Sequence, residues 1–138
     1  MPTEAQWEIA ARVVMGIEGL RDYATPSGEL TKEEAHYDAQ ATVDVDDPRY
    51  PTLENGLRHM TGNVWEWTRD WSADYSEESV VDPTGPKSGE YKILRGGSWD
   101  VNDPGKLRAA NRSDFHPDGW GRYIGFRLVA FRGLQEIK

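Results

Sequence analysis

Chemistry in this chain would have to come from few residues. It contains no cysteine, which removes thiolate nucleophiles, thiolate metal sites and disulfides together. Its three histidines, His36, His59 and His116, are widely spaced, with no two on one helical face as a metal pair would be. Each reads as a surface or loop residue. Ser98 lies in the string Arg95-Gly96-Gly97-Ser98-Trp99 with no histidine placed nearby in sequence, so a serine triad lacks its base. The remaining candidates suit binding rather than bond-breaking. Phe115, Trp120 and Tyr123 are rigid amphipathic side chains of the kind that dominate binding hot spots. Asp100, Asp103, Asp114, His116 and Arg122 beside them can add directional polar contacts. Trp120, between Gly119 and Gly121 and without periodic apolar neighbours, reads as an exposed anchor.

These residues share one stretch, Asp100 to Tyr123, so the elements around it must position them. A helix opens the chain: Thr3 and Gln6 form a capping box, Glu4 sits in the first turn, and Ala5, Ile9, Ala10, Val13 and Val14 make an apolar stripe with Trp7 beside it. Gly16 and Gly19 end it. Residues 20–58 are polar and rich in turn formers, and read as long ordered loops with a helical turn, a short helix capped by Thr31 to Glu34 being the alternative. From Val64 the period changes to two, giving a strand over Val64–Trp71. Tyr91–Leu94 and Ile124–Val129 read as two more strands. The stretch from Asp100 to Tyr123 shows little periodicity, and a connection that long is usually functional. There is no internal repeat and no low-complexity segment.

A chain of 138 residues is one domain able to bury a core. A formal net charge of −8 argues against sequence-independent nucleic-acid binding, which needs a basic face. No apolar run approaches a membrane span, and Met1-Pro2-Thr3-Glu4 does not open a signal peptide. The expected location stays open, with display on a virion or cell surface through another segment as one route.

Several strings together identify a family. They are Pro2-Thr3-Glu4-Ala5-Gln6-Trp7-Glu8, then Gly62-Asn63-Val64-Trp65-Glu66-Trp67, Arg95-Gly96-Gly97-Ser98-Trp99 and Ile124-Gly125-Phe126-Arg127-Leu128-Val129. In this order the chain resembles the formylglycine-generating enzyme (sulfatase-modifying factor) family, a branch of the C-type lectin-like fold. The resemblance implies an α+β domain over 1–138, with small antiparallel sheets, an N-terminal helix and long loops. The family domain usually continues upstream, so the chain is a compact or a truncated version. Trp65 or Trp67, Trp99 and Phe126 should then be core. Family members that oxidise sulfatase cysteines use a cysteine pair after the RGGSW string, and members that form carbon–sulfur bonds use histidine-held iron. Neither ligand set is present here, so the expectation is a domain without catalysis or cofactor. A family calcium site would map onto Gly62, Val64 and Glu66, but its upstream Asp or Asn is replaced by His59, a poor ligand for a hard cation. No metal is expected, and Glu66 should instead be a carboxylate satisfied by arginine or backbone donors.

Within the family, the long stretch resembles the variable region of proteins diversified by diversity-generating retroelements. Those systems copy a template with errors at adenines, often in Asn codons. An AAC codon so altered cannot give Lys, Glu, Gln, Met or Trp. The clusters Asp100, Val101, Asn102, Asp103, then Ser113, Asp114, Phe115, His116, then Gly119, Trp120, Gly121, Arg122, Tyr123 obey that limit except at Trp120. Trp lies one adenine change from an AGG arginine codon. The resemblance therefore implies a binding face made of these thirteen residues. Its ligand would be a macromolecule, a protein or glycan on another cell or surface, with no nucleic acid and no membrane insertion. A non-diversified binding or scaffold domain, or a fragment of a formylglycine-generating-type enzyme, are the alternatives.

Overall fold

The computed structural model describes residues 1–13 and 19–130. Helix α1 (Glu4–Arg12) is followed by strands β1 (Trp65–Trp71) and β2 (Lys92–Arg95), helix α2 (Pro104–Leu107), and strands β3 (Ser113–Phe115) and β4 (Ile124–Phe126). The architecture is α+β, as expected. The capping box is present: Thr3 Oγ1 accepts from the Gln6 N–H at 3.2 Å and Gln6 Oε1 from the Thr3 N–H at 2.9 Å. The buried line of α1 is Glu4, Trp7 and Ala11, not the expected stripe, since Ile9 and Val13 are exposed. The reason is Trp7, whose indole N–H reaches Glu66 Oε2 at 2.6 Å and turns that side of the helix onto the sheet. Val14 and Gly16 lie outside the described residues.

The strand order is β3-β2-β1-β4. β1 and β2 pair antiparallel with Glu66 opposite Arg95 and Trp67 opposite Leu94, and β2 pairs antiparallel with β3. β4 pairs with β1 in parallel, Trp65 opposite Ile124 and Trp67 opposite Phe126, so one mixed sheet stands in place of a purely antiparallel arrangement. The pleat puts Glu66, Thr68, Asp70 and Arg95 on the face under α1, where all are buried. Above that face Trp7, Ala11, Ala24, Leu53, Met60 and Ala109 form the main apolar cluster.

Two glycines set the entry to β1 and the seat of α2. Gly62 has φ +80°, and a Cβ there would meet the His36 carbonyl oxygen at 2.3 Å. Only glycine allows both the left-handed backbone and this approach. At Gly97, with φ +75°, a Cβ would lie 2.6 Å from Leu107 Cδ2, and Leu107 is fully buried.

Thr31 to Glu34 form a helical turn within ordered loop, as expected, with the Glu34 and Ala35 N–H groups both on the Thr31 carbonyl. Two expectations are corrected. The stretch from Asp100 to Tyr123 contains α2 and β3, which are too short to leave a periodic signature. Phe126 is 65% exposed rather than core. It lies on an edge strand of three residues, with a neighbouring strand on one flank only.

Candidate binding surface

Strand directions decide where the candidate residues go. β3 is antiparallel to β2, and β2 to β1, so β3 and β4 run the same way at opposite edges. Residues 116–123 must cross three strand spacings, about 14 Å, to connect them. α1 occupies one face, so the crossover takes the other. There Phe115 lies beside Trp67, ring centroids 6.4 Å apart. Gly119 sits against the Phe115 ring, and the Tyr123 carbonyl accepts the Trp65 N–H at 2.7 Å.

The first cluster reaches this crossover through Trp99. The Trp99 indole N–H points at the Arg122 carbonyl, 3.3 Å away, and its backbone is tied to Asn63 at 2.8 Å. Asp100 Oδ1 accepts from Ser98 Oγ at 2.5 Å, and the Val101 carbonyl accepts from Asp38 N–H at 3.0 Å. Asp103 is the N-cap of α2, accepting from Gly105 N–H at 2.9 Å. Asn102 is exposed. Trp120, at the crossing, is 88% exposed, and Arg122 and His116 are exposed with it. Val101, Ser113, Phe115, Gly119, Gly121 and Tyr123 are half-buried. Asp114 departs from the rest: opposite Ile93 in register, it projects from the α1 side of the sheet and accepts from Ser72 Oγ at 2.7 Å.

One neighbour was not legible in advance. Tyr91, read only as a strand residue, stacks edge-on against His116 with centroids 6.2 Å apart and is partly exposed. Trp99, expected in the core, is half-buried and links two clusters. Trp65 is buried, whereas Trp67 and Trp71 are half-buried.

The residues that a cation site would need serve the scaffold instead. Glu66 accepts from Arg127 Nε and Nη2 at 2.5 Å each and from the Trp7 indole, so its carboxylate is already neutralised and does not suit calcium. Among the described residues no cluster of three acidic, histidine or cysteine side chains suits a metal. Ser98 is buried and bonded to Asp100, with no histidine in contact. Under α1 a second network joins Glu4 to Arg95, Arg112 and Tyr75, and Glu4 holds the Arg112 guanidinium above its ordinary pKa. These charges are paired among themselves at the floor of a groove of about 890 Å³ between α1 and residues 73–86.

His59 lies in a loop, as expected, but is half-buried. Its Nε2 is buried without a hydrogen-bond partner, its backbone is left-handed at φ 52°, and its ring stacks on Tyr50, which bonds His36 Nδ1 at 2.8 Å. Burial lowers the His59 pKa, against a backbone carbonyl at Asp44 that favours the proton. The unfolded ring takes its proton near pH 6.5, and the folded ring only at lower pH. The unfolded chain therefore binds more protons in that window, and the stability present above pH 6.5 falls as pH drops toward the folded value. His59→Asn, a residue tolerant of positive φ, should flatten the loss of Tm between about pH 7.5 and 5.5 relative to wild type. Equal slopes for the two proteins would contradict this account.

Comparison with known proteins agrees with the strings and the fold. A family model, the sulfatase-modifying factor enzyme 1-like domain, matches residues 1–131. The chain belongs to this family. The serine/threonine-protein kinase Pkn1 of Chlamydia trachomatis is 40% identical over 135 residues, covering 94% of this chain and 20% of that protein. The formylglycine-generating enzyme of Streptomyces coelicolor is 37% identical over 150 residues, covering 94% and 46%. Among solved structures, Treponema denticola variable protein 1 superposes with a TM-score of 0.74 at 30% identity, covering 91% of this chain and 45% of that one. The sulfatase-modifying factor domain here thus spans less than half of each of these relatives, and it shares their C-type lectin-like α+β fold. No helix among the described residues is long and apolar enough to cross a membrane.

Proposed function

We propose that this sulfatase-modifying factor domain is a non-catalytic ligand-binding module that displays a diversified surface over residues 100–123, in the manner of a retroelement variable protein. The observation that carries the reading is Trp120, 88% exposed on a crossover laid over the sheet face that α1 leaves open. Asn102, His116 and Arg122 are exposed around the same path, so their side chains can vary while the core under α1 stays intact. The 30% identity to Treponema denticola variable protein 1 supports the same reading. The ligand is a macromolecule, a protein or glycan on another surface, gripped by aromatic anchors with polar contacts around them. The 37% identity to a formylglycine-generating enzyme favours a second reading, a scaffold portion of a longer enzyme. In that case catalytic thiols would have to come from outside this cysteine-free sequence.

The combined variant Asn102→Ser, His116→Ser, Trp120→Ser, Arg122→Ser tests the separation of display from scaffold. Surface substitutions usually change stability by no more than about 0.5 kcal/mol each, so Tm should stay within about 5 °C of wild type. A loss of 10 °C or more, about 3 kcal/mol for a domain of this size, would show these residues to be structural.

A further inference from the structure

Gly119 and Gly121 flank the exposed anchor, and the obvious reading of such glycines is backbone freedom. The geometry points elsewhere. Neither residue has the positive φ that would require glycine, whereas eleven other described positions do adopt positive φ. What opposes a side chain is an aromatic ring in each case, prohibitively at Gly119 and by crowding at Gly121. A Cβ on Gly119 would fall 2.2 Å from Phe115 Cε1 and 2.5 Å from Cδ1, far inside any real carbon–carbon contact. A Cβ on Gly121 would fall 3.0 Å from Tyr123 Cε1 and Cζ. The Phe115 ring is itself anchored, and Tyr123 is held at its backbone. Phe115 is on β3 and leans on Trp67, and Tyr123 precedes β4 with its carbonyl on the Trp65 N–H.

We propose that Phe115 and Gly119, and likewise Tyr123 and Gly121, act as coupled pairs in which the ring seats the glycine, so that the two rings grip the Trp120 turn from both sides and hold the anchor in one orientation. The glycines are positioning residues, and 119 and 121 are not independent contact positions. A side chain at 119 requires that residue 115 shrink or swing out into solvent. Pre-ordering matters because an anchor already fixed loses less side-chain and loop freedom on binding. The consequence for recognition rests on the proposed display function, but the packing does not.

A double-mutant cycle reads the coupling without any ligand. Wild type, Gly119→Ala, Phe115→Ala and the double variant are compared by Tm and by the heteronuclear NOE of the Trp120 amide. Gly119→Ala should lower Tm by about 3–8 °C, the range for overpacking a small domain, and lower the Trp120 NOE. With Phe115→Ala already present, the same change should lose more than half of its Tm effect. The remainder is assigned to the His116 carbonyl, 3.0 Å from the same point. An effect of equal size in both backgrounds, or none in either, overturns the proposal. The cycle of Gly121→Ala with Tyr123→Ala reads the other flank and decides the matter if Phe115→Ala does not fold. Because no ligand enters, failure here is distinct from failure of the display reading.

Discussion

Arg95→Ala is expected to destabilise the domain by about 3–5 kcal/mol, the range for removing one member of a buried ion pair. Arg95 has no solvent exposure. Its guanidinium donates to Glu4 Oε1 at 2.8 Å, Glu8 Oε2 at 2.7 Å and the Ala109 carbonyl at 2.8 Å, with its carbon 5.3 Å from the Trp7 ring centre. Truncation would leave a void, an unpaired Ala109 carbonyl and an acidic pair with less neutralisation. One side chain thus ties the helix start, β2 and the middle of the stretch from Asp100 to Tyr123 together. Against a total stability of about 5–15 kcal/mol for a typical domain, the loss is large. Urea unfolding measures it, and a change below about 1 kcal/mol, the size expected of an exposed pair, would contradict the assignment.

Trp7→Ala should cost about as much, 3–5 kcal/mol or so for truncating a large aromatic core residue. Trp7 is 1% exposed and sits in the apolar cluster with Ala11, Ala24, Leu53, Met60 and Ala109. Its indole N–H also donates to Glu66 at 2.6 Å. Trp7→Phe separates the two contributions, because it keeps most of the apolar volume and removes the charged hydrogen bond, worth about 1.5–3 kcal/mol. The Trp7 and Arg95 effects should fall short of additivity, since the two side chains are in contact. Urea unfolding of the single and double variants checks each value, and an unchanged midpoint for Trp7→Ala would place the core elsewhere.

How much was legible depended on whether the signal was local. The capping box at Thr3 and Gln6 and the alternation of Trp65 to Trp71 act over neighbouring residues, and both were readable. Glu66 was readable as a carboxylate satisfied by arginine, but its partner Arg127 was not, because the parallel pairing of β4 with β1 brings them together from far apart. The same pairing explains Phe126: an apolar alternating string predicts a strand, but not that the strand will be an edge. Ile9 and Val13 looked like the buried side of α1 because apolar character was read without the Trp7–Glu66 bond that orients the helix. For the candidate surface, the exposure of Trp120 followed from its glycine neighbours and lack of periodicity. The sidedness of Asp114, opposite Ile93 on β3, depended on a strand of three residues that leaves no pattern.

The coding DNA beside the gene tests the central claim most directly. The account predicts a near-copy of the segment encoding Asp100 to Tyr123, next to a reverse-transcriptase gene, differing from it at template adenines and matching it at the codons for Leu107 and Ala109, whose side chains are fully buried. No such copy, or one whose differences fall on all bases alike and on those buried positions, would contradict a diversified surface.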